Sequence, residues 1–343
     1  MTPPPASVPS PIVGPSAART AYLVLGMHRS GTSAATQLLA LAGAELPANV
    51  MPGDEHNEKG YFEPWKIAMF NDRRLRAGGG AWDDVFGFPH RPLPAADESG
   101  WRDEGGALFD QEYAGARLPL MKDPRVTVLL PFWREILGQR RIAARCVIPV
   151  RHPLAVAASL GRRNGFSVEK SVLLWSAYML AAEAYTRDLP RAFIGYDALL
   201  TDWRAQAARI EAGHAAALPG LDAKAGEAID RFLTPDLRHN ETDDSLARAG
   251  DAGAVAQDVF DWFAAAADDA KPDAALLTRA RARLDKMRLA MGPLVSATTR
   301  DLDAARSELI ELRQNHAYLQ SLYEALREER SAAEATLDAL LSD

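Results

Sequence analysis

Cysteine is almost missing from this chain: Cys146 is the only one in 343 residues. An intrachain disulfide is therefore excluded, and so are the paired-cysteine spacings of zinc sites. Cys146 stands in an apolar run, where a lone thiol serves as a small core residue. Positive charge is also short. The formal net charge of −7 argues against a general nucleic-acid binder and leaves room only for a local basic pocket. No apolar run is long enough to span a bilayer; the longest, Ser171 to Tyr185, is interrupted by Glu183. The N-terminus lacks an early positive charge followed by an apolar segment, so no secretory leader is expected and the cytoplasm is the default location. Proline and glycine, frequent elsewhere, are absent from Leu294 onward.

What is present centres on Tyr22 to Ser33. The run Tyr-Leu-Val-Leu reads as a strand, and it ends in Gly26-Met27-His28-Arg29-Ser30-Gly31-Thr32-Ser33. An Ala- and Leu-rich helix follows, Ala34 to Ala44. A strand, a glycine-bounded loop and a helix N-terminus together form a phosphate-binding device, because backbone N–H groups and the helix dipole both favour an anion there. The Gly26–Gly31 spacing matches the P-loop pattern, but Thr32 occupies the lysine position. Arg29 is the only cation nearby in the sequence. A ligand-free strand-to-helix turn is the alternative; the donors Arg29, Ser30, Thr32 and Ser33 weigh against it.

Residues 1–19, rich in Pro, Ser and Ala, are expected to be a disordered tail. An α/β domain is expected over 20–293. Its strands are Ala21–Gly26, Leu118–Met121, Arg145–Val150 and Arg191–Tyr196, alternating with helices that include Thr127–Leu137 and Val168–Leu189. That alternation predicts a P-loop-like parallel sheet flanked by helices. Ligands of such sheets sit at the carboxyl ends of the strands, which is where Arg29, Lys122 and Arg151 fall. Pro64 suits the start of a helix, and from Gly78 to about Ala116 the chain reads as irregular. From Leu294 a heptad pattern emerges: Ala305, Leu312, Leu319, Leu326, Ala333 and Leu340 form one seam, and Leu302, Leu309, His316, Tyr323, Arg330 and Leu337 the other. This predicts a C-terminal coiled-coil helix over 294–343 and a homo-oligomer or a coiled-coil partner. A long helix packed back on the domain is the alternative.

The loop Gly-Met-His-Arg-Ser-Gly-Thr-Ser resembles the 5′-phosphosulfate loop of sulfotransferases that use 3′-phosphoadenosine 5′-phosphosulfate (PAPS). Arg151, Ser159 and Arg163, spaced Arg-x7-Ser-x3-Arg, are similar to the 3′-phosphate motif of tyrosylprotein sulfotransferases. Lys122-Asp123-Pro124 resembles a Lys-Asp-Pro of the same enzymes, and Tyr61-Phe62-Glu63-Pro64 resembles a Glu-Pro segment of Golgi carbohydrate sulfotransferases. The resemblance covers roughly residues 20–240.

It implies PAPS as co-substrate, with no metal required. It implies a cofactor site of Arg29, Ser30, Gly31, Thr32, Ser33, Arg151, Ser159, Arg163 and Tyr196. Arg29 and Lys122 would act at the leaving group and Glu63 as the base. Glu63 lies further from Arg29 than in those families, so Asp54, Glu55, His56 and Glu58 stay open as bases. Arg238 matches a late basic segment only loosely. The expected function is sulfuryl transfer to an acceptor hydroxyl, with a carbohydrate acceptor by family analogy. Against it stand a P-loop kinase-like phosphotransferase and a non-catalytic coiled-coil assembly protein with a degenerate nucleotide-binding domain. Each isolated residue also has a plainer reading: a surface salt bridge for Arg151, a solvated Lys122, a helix N-terminal carboxylate for Glu63, a buried structural Tyr196.

Overall fold

A computed structural model describes residues 19–53, 60–87, 90–234 and 245–342, with side chains to 331. The Pro-rich tail to residue 18 lies outside the described residues. In chain order the elements are β1 (Thr20–Val24), α1 (Thr32–Leu41), α2 (Trp65–Ala77), α3 (Ala95–Glu112), β2 (Leu120–Lys122), α4 (Pro124–Val128), α5 (Leu130–Gln139), β3 (Ala143–Val150), α6 (Pro153–Asn164), α7 (Val168–Tyr185), β4 (Arg191–Gly195), α8 (Tyr196–Thr201), α9 (Trp203–His214), α10 (Ala223–Phe232), α11 (Gly250–Ala267) and α12 (Ala274–Ser342).

The four strands form one parallel sheet in the order β2-β1-β3-β4. Alternation along β1 divides the core in two. Ala21, Leu23 and Leu25 join Trp133 of α5, Val156 of α6, Trp175 of α7 and Phe263 of α11 on one face. Tyr22 and Val24 join Leu38 of α1, Leu199 of α8, Ile210 of α9 and Ile229 of α10 on the other. Both faces are covered, as a parallel sheet requires. Pro149 sits in the central strand β3, where a missing N–H normally breaks a ladder. Val147 accepts from Leu25 of the β1 side, whereas Cys146 donates toward β4. By alternation Pro149 faces the β1 side, beyond the last paired residue Val24. The β1–β3 ladder ends there.

Three expectations change. The irregular stretch to Ala116 holds an 18-residue helix, α3. Its sequence hides it, since Gly100, Gly105 and Gly106 lower helix propensity. Gly105 is there for packing: a Cβ would meet the Phe70 ring at 2.9 Å and Ile136 at 3.0 Å. The single helix expected over Thr127–Leu137 is two, α4 and α5, joined at Leu129. The last helix begins at Ala274 and passes through Pro293, so residue 294 is no element boundary. Its first part packs on the domain, where Leu277, Ala280, Ser296, Thr299 and Asp303 are buried. Among the described residues no helix is long and apolar enough to cross a membrane.

Candidate active site

The loop after β1 is strained by design of its sequence. Gly26 has φ +138° and Gly31 has φ +90°, both disfavoured for side-chain-bearing residues. A Cβ on Gly31 would overlap the ring of Tyr196 at the start of α8. Between the glycines, Arg29 itself adopts φ +70°, a conformation that costs a non-glycine residue of order 1 kcal/mol. The loop is pinned at its entrance: Thr127 Oγ1 accepts from Gly26 N at 2.8 Å. α1 then opens at Thr32, capped by Gly31 with no side-chain cap.

α6 supplies the facing side. Its start is set by His152, which accepts from Leu154 N, and by Pro153 at the first helical position. Arg151, at the end of β3, donates to the Arg29 carbonyl at 2.9 Å, and its guanidinium lies 4.4 Å from the centre of the Tyr196 ring. Arg29 Nε donates to Ser159 Oγ at 2.7 Å. The fold therefore brings Arg29, Gly31, Arg151, Ser159 and Tyr196 together from four separate segments. Arg163 is turned differently: it donates to Asn164 and stacks over Trp82. Burial lowers the pKa of Arg151 and of Arg163, and Arg29 lowers both further.

The second cluster forms at the end of β2. Lys122 is only 2 % exposed and Glu63 3 %. Lys122 Nζ donates to Glu63 Oε1 at 2.7 Å, to the Tyr61 carbonyl at 2.8 Å and, more weakly, to Ser33 Oγ at 3.4 Å. An ammonium has three N–H donors, so the third, at Ser33, is the one most easily released. Asp123 caps α4 and pairs with Arg125 at 2.9 Å. Arg125 also donates to Asp72 at 2.6 Å and lies 3.8 Å from Glu63 Oε2. Burial disfavours the Arg125 charge, but Asp123, Asp72 and Glu63 outweigh it and keep the guanidinium charged. Burial also raises the Asp72 carboxyl, against the pull of Arg125. Glu63 is thus bracketed by two cations, and Lys122 links it to Ser33 after the Gly26–Gly31 loop.

Sequence reasoning missed His28. Its ring packs edge-on against Trp82 at 4.8 Å, and its Nε2 is buried without a hydrogen-bond partner. Burial drives its pKa well below the ordinary value, with Arg163, Arg125, Lys122 and Arg29 adding to the effect, so it stays neutral among four cations. Ser30 Oγ, in the same loop, is likewise buried with no partner. A histidine inside the glycine-bounded loop was the available signal; its neighbours come from elsewhere in the chain. The alternative bases Asp54, Glu55, His56 and Glu58, and Arg238, lie outside the described residues. No cluster of three His, Cys, Asp or Glu side chains suited to a metal ion occurs among the described residues.

No family model matches this chain, and no curated protein matches it. Among solved structures the chain is similar to the sulfotransferase domain of the Synechococcus PCC 7002 olefin synthase, at 17% identity and a TM-score of 0.43, covering 73% of this chain and 97% of that one. It is also similar to the sulfotransferase domain of the curacin biosynthetic pathway, at 13% identity and a TM-score of 0.41, covering 75% of this chain and 100% of that one.

Proposed function

We propose that this protein is a sulfotransferase that takes its sulfuryl group from PAPS and passes it to an acceptor hydroxyl. The observation that carries this is the meeting of two clusters at Ser33. On one side lie the strained loop with Arg29, Arg151, Ser159 and Tyr196; on the other lies the buried Lys122–Glu63 pair. The donor set suits an anionic nucleotide. Ser30 Oγ has no partner, and burial, with the nearby Arg29 charge adding, lowers the pKa of both Arg151 and Arg163. A bound anion would relieve both conditions.

In this reading Arg29, Ser30, Gly31, Thr32 and Ser33 hold the 5′-phosphosulfate, and Arg151, Ser159 and Arg163 take the 3′-phosphate. PAPS would supply a sulfuryl group activated by its bond to a phosphate; the acceptor oxygen would bond to sulfur as that S–O bond breaks, and adenosine 3′,5′-bisphosphate would leave. Glu63 accepts the acceptor's hydroxyl proton, while Lys122 turns the N–H now on Ser33 toward the oxygen where negative charge develops. Arg29 adds its charge at that end. No step in this scheme assigns work to a metal. A carbohydrate acceptor and a cytoplasmic setting belong to the same proposal and rest on the family resemblance of the motifs.

The test is a thermal-shift comparison of adenosine 3′,5′-bisphosphate with Mg-ATP, on wild type and Arg151→Ala. A ligand at a hundredfold excess over its dissociation constant stabilises the folded state by about 2.7 kcal/mol. A rise with the bisphosphate alone, lost in the variant, is the expected result. A rise with Mg-ATP alone would favour a kinase-like phosphotransferase. No rise with either would leave an assembly protein as the better description.

A further inference from the structure

α12 changes character at Arg306. Up to that point it is fastened to the domain: Ser296 donates to Asp84 at 2.8 Å, Arg76 pairs with Asp303, and Arg306 pairs with Asp83 at 3.2 Å. Beyond it every described residue from Glu308 to Ser331 is exposed. That exposed stretch is not polar. Leu309, Leu312, Leu319, Tyr323 and Leu326 stand 46 to 68 % open to solvent, and they recur at the alternating three- and four-residue steps of a heptad. A stripe of large apolar side chains along one face of a projecting helix needs a cover.

We propose that residues 308–330 are covered by the same segment of a second copy of this chain, in a parallel, in-register, two-stranded coiled coil. The charges beside the stripe select this arrangement. With Leu309, His316, Tyr323 and Arg330 at a, and Leu312, Leu319 and Leu326 at d, the g positions are Glu308, Asn315, Leu322 and Glu329, whose e partner Glu334 lies beyond the segment, and the e positions are Arg313, Gln320 and Arg327. In a parallel pair each g side chain meets the e side chain five residues further on in the partner. Glu308 then meets Arg313, an opposite charge, and Asn315 meets Gln320, a matched amide. Leu322 meets Arg327, whose aliphatic stem can cover it. An antiparallel pair sets a against d, with Leu309 opposite Leu326 and Leu312 opposite Tyr323, and would instead bring Glu308 near Glu329 and Arg306 near Arg327, like charge against like. His316 and Arg330 at a are polar, which suits the half-open a layer of two strands and penalises shifted registers that would set them against leucine. The pairing is independent of the chemistry proposed for the site, since none of its residues belongs to that site.

The test uses the full chain. Light scattering on a sizing column should return twice the chain mass of 37.2 kDa. Leu312→Asp with Leu319→Asp should return the monomer with an unchanged melting profile of the domain, because both positions are exposed. Orientation is read from Leu312→Cys and Tyr323→Cys, made separately. The native thiol of Cys146 is buried and does not interfere. In the proposed pair each variant oxidises to a disulfide-linked dimer with itself, since facing core positions bring Cα atoms within reach of a disulfide. Mixed chains give no 312–323 link. Glu308→Arg should loosen the dimer several-fold, and adding Arg313→Glu should restore it. A monomer at all concentrations, or cross-linking only between the two different cysteine variants, would overturn the proposal.

Discussion

The buried pair between Lys122 and Glu63 offers the sharpest test of how this site is held together. Both side chains are almost wholly removed from water, and their charged atoms are 2.7 Å apart. Removing one member of such a pair leaves the other charge buried without compensation, at a cost of about 3–5 kcal/mol. The two single changes are not equivalent here. In Glu63→Gln, Lys122 and Arg125 keep their charges and lose the carboxylate between them, so the full cost is expected. In Lys122→Met, Glu63 still has Arg125 at 3.8 Å, so the loss should fall toward the lower end. The double variant Glu63→Gln/Lys122→Met removes both charges and should be less destabilised than the sum of the singles. A coupling of about 1–3 kcal/mol is expected for groups in direct contact. Urea unfolding of the four proteins, with equal slopes checked first, supplies the numbers. Additivity within about 0.5 kcal/mol would refute the claim that the two side chains act as one unit. On the proposed function, sulfuryl transfer should be lost in all three variants, while bisphosphate binding, assigned there to the other cluster, should survive in the folded ones.

Gly31→Ala places a methyl group into the Tyr196 ring at a positive φ; a loss of roughly 1–3 kcal/mol is expected, and it should shrink when Tyr196→Ala is present. Equal losses in both backgrounds would mean that the ring does not set the glycine. His28 has its folded pKa pushed below the unfolded value by burial, with the four nearby cations adding. The unfolded chain therefore binds the proton more tightly, and the stability that neutral His28 provides is fully present above about pH 6.5 and is lost as pH falls below it. Chemical denaturation between pH 7 and 5 should show stability falling, and His28→Asn should reduce the slope by up to about 1.4 kcal/mol per pH unit. His90, His152 and His214 are shifted in the same direction, so the slope should not vanish. An unchanged slope in His28→Asn would show that His28 titrates normally.

The fold was largely legible because its signals are local. Each strand is a short apolar run, and Asp123-Pro124 and His152-Pro153 carry their own helix starts. α3 was not legible, because its glycines serve Phe70 and Arg140 in neighbouring helices and look, in isolation, like breaks. The same held at Pro293, where a residue that usually ends a helix sits inside one. In the site, Arg29, Arg151 and Ser159 could be expected together, since each follows a strand end or lies one helical stretch beyond it. The contact of Lys122 with Glu63 could not be read: 59 residues separate them, and only the packing of the Tyr61–Pro64 segment over β2 brings them together. Arg163 shows the limit in reverse. Its helical spacing to Ser159 is real, yet its side chain goes to Asn164 and Trp82.

The root of α12 has a mechanical meaning. Arg306 from that helix and Lys170 from α7 both close on Asp83, at 3.2 and 2.9 Å. Its neighbour Trp82 stacks on Phe166 and carries His28 and Arg163 on its ring. From Arg306 to Ser342 the helix extends for roughly 50 Å at the usual rise. A shaft of that length, seated on the residue beside the wall of the Gly26–Gly31 loop, is a lever with its fulcrum at Asp83. Sideways load on it would bear first on Asp83, the residue next to Trp82. Arg306→Ala would remove the outermost fastening and move the point of support back to Arg76–Asp303.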